Sequence, residues 1–388
     1  MSEHGTRVGA GLSTLDDAVD AGRAAAAAAA AALDGAPVDL AFVFVSAYHL
    51  ARAAAAAAVV RTELGARCFV GCVAEGVLGA GRELEDGPGV AVWAAALPGA
   101  EIEVFHAEAV HAGGGSVVVG FPQLAEPSLV ALLVDPFTFP ADSFLDGLNL
   151  EHPGLPTVGG LAAGAGRPGT QALFLGGETY RHGAVGAIVS GIPVRTVVSQ
   201  GCLPIGRDLV VTRAEGNVIH ELAGRPAIER LREQVERLSE SEQQQALRGL
   251  MVGLVIDENT PDYKRGDYLI RSLLGGDEES GALVLGDTVR PGQTLRFHIR
   301  DGSTADTDLR EALATTLGGV DAAGALLFTC NGRGAAMFGR PDHDAGVVGE
   351  ALAGAAVAGF FCGGEIGPVG TKVFLHAFTA TLAVLLRS

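Results

Sequence analysis

The sequence is poor in cysteine, in aromatic residues and in long apolar segments, and each shortage excludes a class of protein. Its 388 residues include five cysteines and no C-x-x-C pair. An odd and sparse set of thiols argues against a disulfide framework and a structural zinc site, and favours a reduced, cytoplasmic protein. The longest uninterrupted apolar run, residues 24–33, is about half of the ~20 residues that a membrane-spanning helix requires. We therefore expect no membrane partner.

Basic residues are also scarce. Lysine and arginine number 27 against 45 acidic residues, so the net charge is −18. Phosphate backbones would be repelled, which excludes nucleic acid as a partner. No basic segment precedes the alanine run, so the pattern is not that of a signal peptide. Asp16, Asp17 and Asp20 instead favour the start of a helix over residues 16–33, which again indicates a cytoplasmic protein.

Short apolar runs rich in β-branched residues alternate with helical stretches along the chain. Residues 38–46, 67–72 and 129–135 read as buried strands, and an alanine-rich helix over residues 50–64 joins the first two. Two hairpins are predicted, one joining residues 171–175 to residues 184–190 across Gly176 and Gly177, and one joining residues 282–285 to residues 294–300. This order predicts an α/β protein whose sheets are mixed.

The two halves of the chain repeat one short pattern. Residues 69–76 and residues 359–366 are each an apolar strand that runs into Cys-x-x-Glu within a glycine-rich turn. Such self-similarity predicts two related domains. A polar helix after Pro226 marks the region of the boundary. We predict an N-terminal segment over residues 1–34, a first domain over residues 35–220 and a second over residues 221–388.

The candidate site lies at the carboxyl ends of the predicted strands, where α/β proteins bind ligands. Glycines there let the backbone approach a ligand. Arg333 could hold a carboxylate, and Glu75 and Glu365 could accept hydrogen bonds from an ammonium group. An amino acid or a similar zwitterion would satisfy both charges. The candidate ligand-binding residues are Ser46, His49, Cys72, Glu75, Gly76, Cys330, Asn331, Arg333, Cys362, Gly364, Glu365 and His376.

Each candidate also has a purely structural interpretation. The glycines can serve tight turns alone. Arg333 can pair with an internal carboxylate such as Asp342 or Asp344, and the two glutamates can cap a following helix or turn. The cysteines can be small buried apolar residues, and His376 can be an ordinary core histidine. The sequence leaves these alternatives open.

Motifs typical of enzymes are absent. Residues 164–169 spell G-x-G-x-x-G, but they lead into a predicted strand and not into the helix of a dinucleotide site. The sequence contains no phosphate-binding P-loop, no G-x-S-x-G and no H-E-x-x-H, and its ten histidines are scattered. We therefore expect a binding protein with no catalytic residues, no metal ligands and no resident cofactor.

These segments resemble the FIST family (F-box and intracellular signal transduction). The resemblance follows the same order along the chain and covers nearly everything beyond the first ~35 residues. The first FIST domain is similar to residues 43–49, 71–79 and 159–191. The second is similar to the following segments: residues 265–275, 326–334, 358–370 and 374–385.

The resemblance implies a fold of layered sheet sandwiches and a function in sensing small ligands, namely amino acids or their derivatives. Bacterial relatives often carry a kinase, cyclase or chemotaxis output module. No residues remain here for one, so the expected output is a separate signalling partner. The resemblance also implies a rival, a haem-dependent nitric oxide sensor using a histidine such as His49, His106 or His376. A further alternative is an enzyme that uses Cys330 or Cys362.

Overall fold

The computed structural model describes residues 5–112, 115–124 and 129–387. The strands up to residue 161 are β1 (Arg7–Ser13), β2 (Leu40–Ser46), β3 (Cys68–Ala74), β4 (Val77–Gly79), β5 (Arg82–Leu84), β6 (Val90–Ala96), β7 (Glu101–Ala112), β8 (Gly115–Val119), β9 (Leu129–Val134) and β10 (Thr157–Leu161). The next strands are β11 (Leu173–Leu175), β12 (Glu178–Tyr180), β13 (Ala184–Ser190), β14 (Val194–Gln200), β15 (Cys202–Glu215), β16 (Val218–Leu222), β17 (Arg225–Pro226), β18 (Leu250–Val255), β19 (Tyr268–Asp277), β20 (Ala282–Leu285) and β21 (Thr294–Arg300). The last strands are β22 (Ala322–Cys330), β23 (Ala356–Cys362), β24 (Glu365–Val369), β25 (Lys372–His376) and β26 (Thr379–Leu386).

The helices lie between these strands. They are α1 (Ala18–Ala31), α2 (Ala53–Leu64), α3 (Ala141–Glu151), α4 (Ala227–Val235), α5 (Glu240–Arg248), α6 (Gly302–Leu317), α7 (Ala335–Phe338) and α8 (His343–Ala351), with a 3₁₀ helix over Ala47–Arg52. The Asp17 side chain caps α1 by accepting hydrogen bonds from the backbone N–H groups of Val19 and Asp20, as its position before the alanine run predicts. No helix of the described ranges is both long enough and apolar enough to span a bilayer.

The strands form four sheets, of which the first three are mixed, whereas the described strand pairs of the fourth are all antiparallel. Sheet I has the order β1-β6-β2-β3-β11-β12, and sheet II has the order β25-β24-β10-β9-β13-β7-β8. Sheet III has the order β14-β26-β22-β23-β4-β5, and sheet IV has the order β15-β21-β18-β19-β20-β16-β17. In sheets I and III the central strands, β2 with β3 and β22 with β23, are parallel. The predicted α/β class with mixed, helix-covered sheets is confirmed.

The internal repeat is visible in sheets I and III. The segments that match each other in sequence contain β3 and β23, and each is the second strand of a parallel strand–helix–strand unit. A hairpin occupies the next position in each sheet. Beside β3 it is β11–β12, and beside β23 it is β4–β5, which follows β3 in the chain. The two halves are therefore related in architecture, and the first half also contributes the β4–β5 hairpin to the sheet of the second.

Sheets I and III share one apolar core. The helix-facing sides of the central strands pack under α1 and α2 in sheet I and beside α6 and α8 in sheet III. The opposite sides meet in a common cluster, in which the rings of Phe44 and Phe360 lie 5.3 Å apart. Since both faces of these strands are buried, their sequences are almost continuously apolar. This layered packing is the sandwich that the resemblance implies.

Both predicted hairpins are wrong. The turn at Gly176 and Gly177 joins β11 to β12, whereas β13 pairs with β7 and β9 in another sheet. In the second case, β20 pairs with β16 and β19, while β21 pairs with β15 and β18. Turn signals mark where the chain reverses, but long-range pairing decides which strand lies alongside.

The chain divides into two compact units. The first comprises the residues up to Val198, Leu309–Leu375 and the chain from Thr379 onward, and the second comprises Ser199–Asp308 with His376–Phe378. The boundary at residues 220/221 falls within the second unit, and the predicted domain limits remain predictions. All the candidate site residues except His376 belong to the first unit.

Glycine is required where the parallel strands of sheet III approach each other. A Cβ added to Gly359 would lie 1.6 Å from the backbone oxygen of Leu327, its register partner in β22. We expect Gly359→Ala to destabilise the protein by more than about 3 kcal/mol, because backbone must move to relieve the overlap. Gly349→Ala in α8 is the control, because a Cβ there meets nothing within 4 Å. It should stabilise by up to about 1 kcal/mol. Urea unfolding of both variants checks this, and equal midpoints would contradict it.

Candidate functional site

The carboxyl ends of the parallel strands of sheets I and III meet at one place. Cys72 lies two residues before the end of β3, which is buried throughout, and Cys330 and Cys362 are register partners at the ends of β22 and β23. Cys72 and Cys362 belong to the common core, and Cys72 and Cys330 both lie close enough to Cys362 to raise its pKa. The segments that contain these three cysteines are therefore brought together, as the position of ligand sites in α/β folds predicts.

Arg333 lies in the turn between β22 and α7 and is fully buried. Its Nε and Nη2 each donate a hydrogen bond of 2.8 Å to the Asp344 carboxylate, which is also fully buried. Burial opposes the charge of Arg333, but Asp344 outweighs it and raises the pKa of the guanidinium above its ordinary value. The internal carboxylate that the sequence left as an alternative partner is thus Asp344, and Asp342 instead accepts a hydrogen bond from the Glu83 N–H.

Asp344 is held by two further groups. The Thr329 hydroxyl donates a hydrogen bond of 2.6 Å to it, and Nδ1 of His343 lies 2.9 Å from its other oxygen. The His343 ring stacks on Phe338 at 3.4 Å, and the Arg333 guanidinium lies 5.3 Å from the centre of the same ring. Burial acts against the Asp344 charge, but Arg333 and these hydrogen bonds hold the pKa of the carboxyl well below its usual range. The pair is charged and rigidly placed.

Glu365 begins β24 and is also fully buried. Its Oε2 accepts hydrogen bonds from the backbone N–H and the hydroxyl of Thr379, at 3.0 and 2.9 Å. The neighbouring Arg333 guanidinium and Cys330 thiol both favour the charged form of this carboxyl group. Burial nevertheless raises the pKa of Glu365 to about 8. At neutral pH the group therefore retains a proton.

Several buried polar atoms of this region lack a hydrogen-bond partner among the described residues. They are Nη1 of Arg333, Oε1 of Glu365, Oδ1 of Asn331 and Oε1 of Gln171. An unsatisfied buried polar atom costs about 1–3 kcal/mol, and in native proteins it calls for a water molecule or a ligand. Arg333 and Glu365 lie close enough to affect each other's titration. These two ionisable residues of the candidate site are therefore neighbours whose hydrogen bonding is incomplete among the described residues.

The remaining candidates around the strand ends are structural or peripheral. Glu75 is exposed and accepts a hydrogen bond of 2.6 Å from the Asn331 side chain. The Gly76 carbonyl accepts from the Phe361 N–H, and the Gly364 carbonyl accepts from the Leu161 N–H. These bonds tie together the loops that surround the buried groups.

Ser46 contributes no unpartnered atom, whereas Nε2 of His49 has no hydrogen-bond partner among the described residues. The Ser46 hydroxyl donates to the Gly87 carbonyl and accepts from the Gly89 N–H, so it closes a turn. His49 is buried, which lowers its pKa. His376 belongs to the second compact unit.

Neither Cys72 nor Cys362 is prepared for nucleophilic chemistry. Burial raises the pKa of Cys72 and, together with neighbouring Glu365, raises that of Cys362 well above the ordinary thiol value. A nucleophilic cysteine needs the opposite shift, towards the thiolate. All five cysteines are free and buried, and within the described residues no group of three or more His, Cys, Asp and Glu could hold a metal ion.

Sequence reasoning missed the role of the β4–β5 hairpin. Glu83 on β5 accepts hydrogen bonds from the backbone N–H groups of His343 and Ala345 at the start of α8, and Glu85 accepts from the Ala335 N–H at the start of α7. Each carboxylate faces the positive end of a helix. Gln171, fully buried with its Nε2 donating to the Val73 carbonyl, was also missed. Its polarity at the start of a predicted strand was the only available signal.

The histidines named as haem ligands do not fit that role. A haem iron requires a histidine nitrogen that faces a cavity large enough for the macrocycle. His49 and His376 are only 4% and 2% exposed. His106 stacks on Tyr180 at 3.9 Å, and its Nε2 lies 3.0 Å from the His182 carbonyl oxygen. None of these three histidines lines the groove between β8 and α3, the cavity against α6 and α8, or the cavity beside β1 and β23. The structure therefore assigns none of them as an axial haem ligand.

Three cavities are lined by other residues of the first unit. A groove of about 640 Å³ between β8 and α3 is lined by residues that include Val117, Phe121, Phe144 and His152. Two others, of about 440 and 490 Å³, lie against α6 and α8 and beside β1 and β23. Volume alone favours the first groove, but its phenylalanines pack on one another and it contains no fully buried charged group. Fully buried charged groups lie instead in the Arg333 and Glu365 cluster.

The fold and this cluster define an α/β protein with a buried polar site at the strand ends of two related halves. The FIST N domain matches residues 39–225, and the FIST C domain matches residues 227–368. Together they cover most of the chain, which therefore belongs to the FIST family, with two FIST domains in series. FIST domains are associated with signal-transduction sensors.

Full-length relatives occur in mycobacteria. The chain is 43% identical over 383 residues to "Uncharacterized protein Rv0628c" of Mycobacterium tuberculosis, an alignment that covers 97% of this chain and 99% of the relative. It is 42% identical over 383 residues to "Uncharacterized protein Mb0898c" of Mycobacterium bovis, covering 97% and 98%. Relatives of the same length and domain order therefore exist.

The burial of the Arg333–Asp344 pair predicts that breaking it costs much more unfolding free energy than breaking an exposed ion pair. Asp344→Asn leaves a buried guanidinium without its counter-charge and should cost about 3–5 kcal/mol of unfolding free energy. Glu350→Gln breaks the pair with Arg310, in which Glu350 is 74% exposed, and should cost less than about 1 kcal/mol. Urea unfolding at neutral pH compares the two variants. Similar losses would show that the buried pair does not hold the loop.

Glu365 predicts a loss of stability towards alkaline pH. A carboxyl group whose pKa is raised on folding stabilises fully below its ordinary value near 4.5, and this contribution is lost as pH rises through about 8. The free energy of unfolding of the wild type, relative to that of Glu365→Gln, should fall between pH 5 and pH 8 by at most about 1.4 kcal/mol per pH unit. The exposed control Glu350→Gln should keep the wild-type slope. A constant difference between wild type and Glu365→Gln would contradict the assignment.

Proposed function

We propose that this protein is a sensor that binds a small polar ligand, an amino acid or a derivative of one, at the strand ends of its first unit. The observation that carries the proposal is a pair of fully buried groups, Arg333 and Glu365, each with one polar atom that has no partner among the described residues. Arg333 Nη1 is a donor, and Glu365 Oε1 can accept or, when protonated, donate. A ligand with both hydrogen-bonding functions would satisfy them.

Access to this site requires movement of the surrounding loops, because Arg333 and Glu365 are shielded from solvent. The hydrogen bond between the side chains of Asn331 and Glu75 joins the loop after β22 to the loop after β3. Glu75 is exposed, so this bond can open at low cost. Ligand entry would break it and change the surface presented by these loops. Such a change is what a separate signalling protein could recognise.

The proposal places the protein in the cytoplasm and assigns it no catalytic step. All five cysteines are free and buried, which suits a reducing compartment. The raised pKa values of Cys72 and Cys362 give the site no ready nucleophile. The chain would act by binding and by relaying occupancy to an output partner.

Ligand-induced stabilisation tests the proposal. In a thermal-shift screen of amino acids and their derivatives, a ligand at ~100 times its Kd should add about 2.7 kcal/mol, a shift of a few degrees. The double variant Arg333→Met/Asp344→Leu removes the Nη1 donor and replaces the ion pair by apolar side chains of similar volume, a change that is often tolerated. Stabilisation by the ligand should disappear in this variant.

The matched control replaces the exposed pair, as Arg310→Gln/Glu350→Gln, and should retain the full ligand-induced shift. Unchanged stabilisation in the Arg333→Met/Asp344→Leu variant would place the ligand elsewhere, with the groove between β8 and α3 as the next location to test. No stabilisation of the wild type by any compound of this class would remove the proposed ligand class.

A further inference from the structure

The charge of the candidate site is already balanced before any ligand arrives. Two of the three guanidinium nitrogens of Arg333 donate to Asp344, and both residues are fully buried. Asp344 is a carboxylate whose remaining bonds come from Thr329 and His343. Arg333 therefore presents a hydrogen-bond donor at Nη1 without presenting a free positive charge.

Glu365, the other residue of the candidate site, is also uncharged at neutral pH. Oε2 of Glu365 accepts both bonds from Thr379, and Oε1 has no partner in the described part of the chain. The titratable groups that act on it are Arg333, Cys330 and Cys362, and the only cation among them is already compensated by Asp344. Burial keeps its proton in place, with a pKa of about 8. Glu365 can therefore donate a hydrogen bond through its unpartnered side.

A charged group would be poorly accommodated between these two residues. A carboxylate facing Nη1 would be the second anion on one guanidinium, whose charge Asp344 already neutralises. Bringing an uncompensated ion into a fully buried site is strongly unfavourable. A neutral carbonyl oxygen has two lone pairs, one for Arg333 Nη1 and one for the Glu365 hydroxyl. This match needs no change in the charge of the site.

We infer that the group recognised between Arg333 and Glu365 is the uncharged carbonyl of a carboxamide or urea, and not a carboxylate. The inference rests on the proposed function and narrows its ligand class. Amino-acid derivatives that carry a primary amide fall within the class. For a free amino acid, the α-carboxylate would lie outside this pair of residues.

Acetamide and acetate form the matched pair of probes, because they have the same shape and differ in charge. We expect acetamide to bind the wild-type protein at least about tenfold more tightly than acetate at pH 7, as measured by ligand-observed NMR titration. Equal or tighter binding of acetate would overturn the inference and leave the proposed function intact. Binding of neither probe, together with no stabilisation by any amino-acid derivative, would overturn the proposed function itself.

The pH profile separates this recognition from a structural role of Glu365. Acetamide affinity should fall as pH rises from 7 to 9 in the wild type, since ionised Glu365 loses its proton donor. In Glu365→Gln, whose side chain cannot ionise in this range, the affinities at pH 7 and pH 9 should be equal. The exposed variant Glu350→Gln should follow the wild-type profile. A fall of the same size in Glu365→Gln would show that another group is responsible and would overturn the inference.

Discussion

The buried ion pair between Arg333 and Asp344 fixes the arrangement on which the candidate site depends. Each of these ions loses its hydration on folding, a penalty of several kcal/mol that attraction and good hydrogen bonds must offset. The geometry provides this, because Asp344 receives bonds from Arg333, Thr329 and His343. The pair joins the end of β22 to the start of α8. Without this pair, the turn that carries Arg333 would bury an uncompensated charge, which is strongly unfavourable.

Contacts from the other half of the chain complete this frame. The β4–β5 hairpin follows β3 in sequence but pairs with β23, and its Glu83 and Glu85 carboxylates cap α8 and α7. Because α7 has only four residues, such a helix depends on tertiary contacts for its stability. The hairpin thus holds the strand ends of the second half in place. This pairing of the β4–β5 hairpin with β23 links sheets I and III within one compact unit.

The sequence was sufficient for the parts of the fold that short-range patterns determine. The apolar strands, the capped alanine-rich helix and the repeated Cys-x-x-Glu turns were found where they were predicted, within a few residues. Strand pairing was not predictable in the same way. The turn at Gly176 and Gly177 gives no information on whether β13 will pair with β11 or with β7, since that choice depends on burial across the whole sheet.

The candidate site was also predictable only in part from the sequence. The strand-end rule brought Cys72, Cys330 and Cys362 together without any knowledge of the fold, and it identified Arg333 and Glu365 as neighbours. It could not decide which internal carboxylate Arg333 would meet, because Asp342 and Asp344 are two residues apart. Only the start of α8 decides this, where Asp344 faces the core and Asp342 meets the β4–β5 hairpin.

Asp344 and Glu365 differ in how completely the fold satisfies their hydrogen-bonding groups. Both are fully buried carboxyl groups near the same guanidinium, yet the pKa of one is lowered and that of the other is raised. The difference follows from their partners. Both Asp344 oxygens are engaged, so the group has no capacity left for a ligand. Glu365 has one oxygen bound and one without a partner among the described residues. Its pKa is raised well above the ordinary value of a carboxyl group. Binding free energy is available at the group whose hydrogen bonding the fold leaves incomplete.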